Sequence, residues 1–432
     1  ILLSSGPLLL NKSILIDASS LPSGFTIDAN LASRALTIED GNDLFFRNVT
    51  LSNLTITGGS STSHGGAISN RENLTLLDCT IDSNSCTGSG GGLWLALGTS
   101  TLDHCILSNN SADGTGGGGG IRLEAPASLL LTNSALTGNS TTNPSPASLG
   151  GGALTADSGS ALTATSCNFH QNSSASFGGA LVIRSNPVTL TDCTLTTNAA
   201  QHGGAIHLLS ASPVLTRCRF RENNATVRGG ALYLTASSAP TVNNSSFSGN
   251  WSGSGGALSH DSASPSYINC AFAGNQASTN GGASHHTTSS TPAFTNCSFA
   301  ANRASNGGAI HSDTSTPTLT HCILWGNTAT SANPQLFGPV HPSSSANLIQ
   351  NGSGPHVLLT ADPHFAKTPH PGPDATWTGP ADNDYGSLRL IADSPALNAG
   401  NNATYDAISP VSTDLAGKPR KIGTIDLGAF EG

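Results

Sequence analysis

Three short clusters carry the side chains best equipped for chemistry: His260-Asp261, His285-His286, and His311 with Asp313. Imidazole and carboxylate groups brought together suit a transition metal. His260 and His286, however, share the parity of Leu208 and Leu234, which turns them inward or into a corner, and no metal or cofactor is expected. A second candidate is the column Trp94, Arg122, His207, Tyr233, His285 and His311, which shares one slot with Ser69, Thr155, Val182 and Ser259. As an exposed stripe these groups could stack against a long sugar chain and hydrogen-bond to it. A strand surface also accepts aromatic residues and His without any ligand. Hydrolase or lyase chemistry asks for acids on neighbouring coils at one slot. Asp78, Asp103 and Asp192 fall just before a Cys, but Arg217, Asn269 and Asn296 take the equivalent places, so the slot reads as a solvated face. No Ser/His/Asp arrangement stands out in so Ser-rich a chain. No catalytic residue is assigned.

What positions these groups is a repeat. Double glycines begin at Gly65, Gly90, Gly118, Gly151, Gly178, Gly203, Gly229, Gly255, Gly281 and Gly307. Each is followed by an apolar stretch and then Cys-x-Phe/Leu-x-x-Asn. An Asn closes every unit: Asn84, Asn110, Asn139, Asn172, Asn198, Asn223, Asn250, Asn275, Asn302 and Asn327. From residue 178 onward the step is 25 to 27 residues. Self-similarity at this period means stacked units, each burying its face only against its neighbours. Ten Asn in one slot read as a structural ladder, since Asn tolerates left-handed corners and its amide can bond to the Asn above and below. Eight of the nine Cys share one slot with Ser134 and Ser245. That reads as a small buried position held by reduced thiols, although adjacent coils would also accept disulfides on distance alone. Cys86 lies off this column.

Within residues 203–228, Ile206 and Leu208 alternate with His207, the period of a half-buried strand. Ser212-Pro213 marks a turn, and Val214, Thr216, Cys218 and Phe220 share a second inward parity. A short third segment then leads to Gly229. Three strands per coil with no helical period describe an all-β parallel β-helix, with equivalent slots stacked at about 4.8 Å. Residues 1–64 form irregular first coils, 65–330 the regular array and 331–432 a C-terminal capping module. Charged residues are only 9% and the net charge is -9 without a basic cluster, so a nucleic-acid partner is not expected. No 18-residue apolar run exists, so no transmembrane segment is expected. The sequence has no Met, which reads as a mature chain whose leader has been removed. Sequons such as Asn48, Asn53, Asn172, Asn250 and Asn351 follow from Asn slots lying among Ser and Thr.

Gly-Gly-Ala-Ile paired with Phe-x-x-Asn resembles the repeat of chlamydial polymorphic outer-membrane proteins and of bacterial secreted right-handed β-helix proteins. The likeness covers roughly 65–330. The series Asp362-Pro363-His364-Phe365, Ser394-Pro395-Ala396-Leu397-Asn398, Asp414-Leu415-Ala416-Gly417-Lys418-Pro419-Arg420 and Asp426-Leu427-Gly428-Ala429-Phe430-Glu431 is similar to the C-terminal domain of choice-of-anchor proteins. These resemblances imply a right-handed coil and an exported bacterial cell-surface or extracellular protein. A structural or adhesive role is then expected, with partners among host or matrix glycans and proteins, or further copies joined head to tail as a fibre. The alternative is a polysaccharide-binding or polysaccharide-degrading protein working from the stripe.

Overall fold

The coil that begins at Gly65 shows how the repeat becomes structure. Its strands are Ile68–Asn70, Asn73–Leu77, Thr80–Asp82 and the two-residue Ser85–Cys86, called faces 1 to 4 below. Ile68, Leu74, Leu76 and Ile81 point inward and are buried. Sharp corners separate the strands. Three depend on one residue in the left-handed region, Gly65 (φ 66°), Asp78 (φ 51°) and Ser83 (φ 57°), and at the corner after Asn70 its side chain donates to Glu72 O and accepts from Glu72 N. The second glycine of each pair meets a different demand. A Cβ on Gly256 would sit 2.1 Å from the carbonyl oxygen of Gly282 in the next coil, a contact only Gly avoids.

The computed structural model describes residues 1–21, 24–145, 150–184, 187–377, 382–409 and 411–432. It is an all-β right-handed parallel β-helix of about 13 turns, divided into two compact units, Ile1–Ala211 and Ser212–Gly432. In the first unit, face 1 stacks Ile68, Leu93, Ile121, Leu154, Leu181 and Ile206 in register. Face 3 stacks Ile81, Leu107, Leu136, Phe169 and Leu195. The early segments Ile14–Asp17, Phe25–Asp28, Leu36–Ile38 and Leu54–Thr57 are strands of its first coils. In the second unit, face 3 carries Phe220, Phe247, Phe272 and Phe299 in one file. Their rings stack 4.6 to 4.8 Å apart.

Each regular coil has four strands where three were expected. The short third segment is face 4, two residues long in Ser85–Cys86 and five in Asn224–Arg228, and the extra strand comes from a division of the second. The expected strand over 214–220 is broken. Arg217 adopts φ 53°, so parity reverses: Val214 is exposed while Leu215, Cys218 and Phe220 are buried.

Both polar files run as the repeat implies. Each ladder Asn is buried. In the second unit Asn275 Oδ1 accepts from Asn250 N (3.1 Å) and Asn250 Nδ2 (2.9 Å). Asn275 Nδ2 donates to Asn302 Oδ1 (2.9 Å) and to the carbonyl of Phe247 (3.0 Å). The first unit repeats this from Asn84 to Asn172. The left-handed residue is the one before each Asn, such as Asn109, Gln171 or Ala301, and not the ladder Asn itself. Amide bonding therefore explains the Asn, and the corner is made by its neighbour. All nine Cys are buried thiols outside any disulfide. Cys105 Sγ donates to the carbonyls of Leu76 and Asp103, each at 3.4 Å. Ser134 substitutes in the slot because its Oγ donates to Thr132 O (2.7 Å) and accepts from Cys105 N (2.9 Å).

The C-terminal region does two jobs, where a single end cap was expected. Gln335 closes the ladder, its Oε1 accepting from Asn327 Nδ2 at 2.7 Å. Asn347–Ile349 and Val357–Leu359 add a last partial coil. The chain then lies back along face 3 of the same unit. Leu388 and Ala429 pack on Ala271, Ala273 and Ala300, Asn296 Nδ2 donates to Asp426 O at 2.9 Å, and Tyr385 Oη donates to Glu222 Oε1 at 3.1 Å. Small outward residues on these coils make room for it. The tail motifs close on one another as a buried polar knot. Asp414 Oδ1 accepts from Ala416 N and Lys418 N, and Asp426 Oδ1 accepts from Asn398 N. Fully buried Arg420 donates to the carbonyls of Asp426 and Gly428.

Candidate functional site

The outward slot of face 1 is one file within each unit: Trp94 is register partner of Arg122 in the first, and Ser259, His285, His311 and Phe337 follow one another in the second. The alignment expected from the repeat is present; the exposure is not. Arg122 is 8% exposed, His207 2%, Tyr233 7%, and His285 and His311 4% each; Trp94 is half-buried. The chain leaving face 4 crosses over the slot before it reaches the next Gly-Gly pair. His64 stacks on Trp94 at 5.2 Å, and Phe177 on His207 at 4.7 Å. Arg122 Nη1 donates to the carbonyl of Gly116. These side chains form a packed outer layer rather than an open aromatic platform. Parity reveals which residues point outward but carries no information about a segment folding over them.

The charge that solvent does reach lies two residues farther along, in a slot the sequence reading did not single out. In the first unit it holds Glu124, Asp157 and Arg184 on three successive coils. Arg122 Nη2 bonds Asp157 Oδ2, Arg184 Nη1 stands 3.5 Å from Asp157 Oδ1, and Arg122 Nε lies 3.7 Å from Glu124 Oε1. Burial pushes the Arg184 guanidinium down, with Asp157 opposing. Glu124, Asp157, Ser158 and Arg184 line a shallow notch. Two cations against two carboxylates clamp the coils together and leave Glu124 and Ser158 toward solvent. The acids before the Cys slot serve the corners instead: Asp103 accepts from Thr132 Oγ1 (2.5 Å) and Asn133 Nδ2 (3.0 Å), which hold its carboxyl below the usual range.

The histidine cluster divides into two. His260 and His286 point inward, as their parity implied, and their rings stack at 5.0 Å. His260 Nε2 pairs with Tyr267 Oη at 2.8 Å, and His286 lies between Ser284 Oγ (2.7 Å) and Ser312 Oγ (3.0 Å). Burial lowers His260 to about 3 and His286 well below the ordinary imidazole range; both are neutral. His285 and His311 point outward and meet Asp313, which is the partner of neither inward ring. Burial lowers both of these imidazoles as well, with Asp313 opposing.

Among the described residues no helix is long and apolar enough to cross a membrane, which leaves strand-built barrels untouched. A search of curated proteins finds no match to this chain. Three overlapping stretches, residues 14–169, 118–272 and 178–353, match the right-handed β-helix region family. Together they take in most of the stacked coils, and the chain belongs to that family.

Proposed function

We propose that this protein is an exported bacterial surface scaffold with a structural or adhesive role. The observation that carries the reading is the covered outer slot of face 1. The aromatic, His and Arg side chains suited to gripping a sugar are already engaged by His64, Phe177, Gly116 and Phe337. Buried Asn and Cys files consume the other recurrent polar groups. What remains outside is strand surface rich in Ser and Thr, suited to broad contact with a partner. The surface location draws support from the likeness of the tail to anchoring domains. Binding of the purified chain to host matrix proteins and glycans, run beside a polysaccharide lyase and hydrolase screen, tests the reading. Saturable binding without turnover is expected.

A second reading, a carbohydrate-active protein, is favoured by the notch where Glu124, Asp157 and Arg184 meet. Polysaccharide turnover lost in Glu124→Gln or Asp157→Asn would establish it and overturn the scaffold role.

A further inference from the structure

We propose that His285, His311 and Asp313 form a site for a divalent transition metal, with zinc the best fit, independent of the scaffold role. The stacking brings the three together: His285 and His311 are register partners on adjacent coils, and Asp313 follows His311 by two residues. One donor atom from each lies within 4.8 Å of the others. His285 Nε2 is 3.1 Å from Asp313 Oδ2, and His311 Nδ1 is 3.6 Å from Asp313 Oδ1. Ligands at zinc bond lengths in a tetrahedron stand about 3.4 Å apart, so the two contacts to Asp313 already have the right length and the two imidazole donors need to close to it from within 4.8 Å. Two imidazole nitrogens and one carboxylate oxygen are a donor set that zinc accepts, and water supplies a fourth position.

Two further observations separate this cluster from ordinary strand stacking. The rings of His285 and His311 meet at 60°, whereas the inward pair His260 and His286 lies nearly parallel at 15°. Each outward ring instead presents a nitrogen to Asp313. His311, only 4% exposed, also directs a buried Nδ1 with no hydrogen-bond partner toward that carboxylate. A buried polar atom of this kind is costly unless something engages it. Phe337 stacks on His311 at 4.5 Å and fixes its plane. The side chain of Asp313 is 46% exposed, which gives an ion its way in. Arg228, the cation that His285 senses, is held by Asp261 at 3.3 Å.

The test uses the full chain, stripped with chelator and titrated with Zn²⁺ by calorimetry. Co²⁺ absorption then serves as a probe of coordination geometry. One equivalent of zinc and a tetrahedral cobalt spectrum are expected. Asp313→Asn preserves shape at an exposed position, and His285→Ser installs the residue found one coil earlier, Ser259. Each should weaken zinc at least tenfold, while His104→Ala, at an exposed position on a distant coil, leaves it unchanged. Should His285→Ser fail to fold, Asp313→Asn decides alone. Absence of stoichiometric zinc, or binding unchanged in Asp313→Asn, overturns the proposal.

Discussion

Removing one amide from the ladder should destabilise the coil through the four bonds it makes and the buried donor it leaves unpaired. In Asn275→Ala the backbone N–H of Asn250 loses its acceptor, and the carbonyl of Phe247 loses the amide that bonds it. Asn250 Nδ2 keeps its bond to Phe220 O but loses the one to Asn275. Asn302 Oδ1 keeps its bond from the Asn275 backbone. The buried N–H of Asn250 is thus orphaned at about 1–3 kcal/mol, while the carbonyl of Phe247 stays in the strand pairing of face 3. Loss of about 3 kcal/mol is expected in the unit that contains this coil once the bonds between the amides are added. Asn275→Asp supplies an internal check. It still accepts from Asn250 but, ionised, cannot donate to Phe247 or Asn302, and its carboxylate is buried without a cation. Burial then raises the pKa of the introduced carboxyl, so it protonates as pH falls and regains one donor. The variant should be least stable relative to wild type above neutrality and recover part of the loss toward pH 5. Urea unfolding followed by circular dichroism at two pH values measures both effects. A loss below 1 kcal/mol for Asn275→Ala, or no pH recovery for Asn275→Asp, would refute the ladder as a stabilising element.

Acid should weaken the second unit through His260. Its folded pKa of about 3 lies below the unfolded 6.5, so its contribution is complete above pH 6.5 and declines as pH drops toward 3. At pH 5 the loss from His260 is about 2 kcal/mol; the acid loss of the unit should shrink by that amount in His260→Leu/Tyr267→Phe, which removes both members of the buried pair and leaves the share that His286 contributes. Denaturant midpoints at pH 7 and 5 give the comparison. The thiols should resist alkylation in the native protein, because burial pushes Cys105 up to about 12 and Cys86 to about 11; mass spectrometry should find labelled cysteines only after unfolding. Gly256→Ala should unfold its coil, since the added carbon would overlap Gly282 O; soluble, fully stable protein would count against the close coil approach.

Legibility followed how strictly a slot constrains its residue. The Asn and Cys files were readable because a buried, hydrogen-bonded position admits few side chains. The corner preceding each Asn was not. Ser83, Gln171, Thr197, Glu222 and Gly274 all adopt it, and so varied a set leaves no motif. The division of 214–220 into faces 2 and 3 escaped notice because its corner residue, Arg217 here and Asn269 or Asn296 on later coils, also varies in type. Glu124, Asp157 and Arg184 share a slot, yet their types differ, and only stacking reveals them as neighbours. Covering of the stripe by His64 and Phe177, and docking of the tail through Tyr385 and Leu388, depend on contacts distant in sequence. The Ala residues at 271, 273 and 300 were the available signal for that docking, a face left smooth for another segment.

Register is the claim on which all of this depends, and cross-linking tests it most directly. Thr101 and Leu130 are partners on face 2 of adjacent coils, with Leu130 exposed. Cysteines at these two positions should join on mild oxidation, since parallel partners lie about 4.8 Å apart. Cysteines at Thr101 and Leu129 point to opposite faces and should not. Peptide mapping that finds the first bond and not the second supports coils stacked slot upon slot; the reverse pattern, or neither bond, contradicts them.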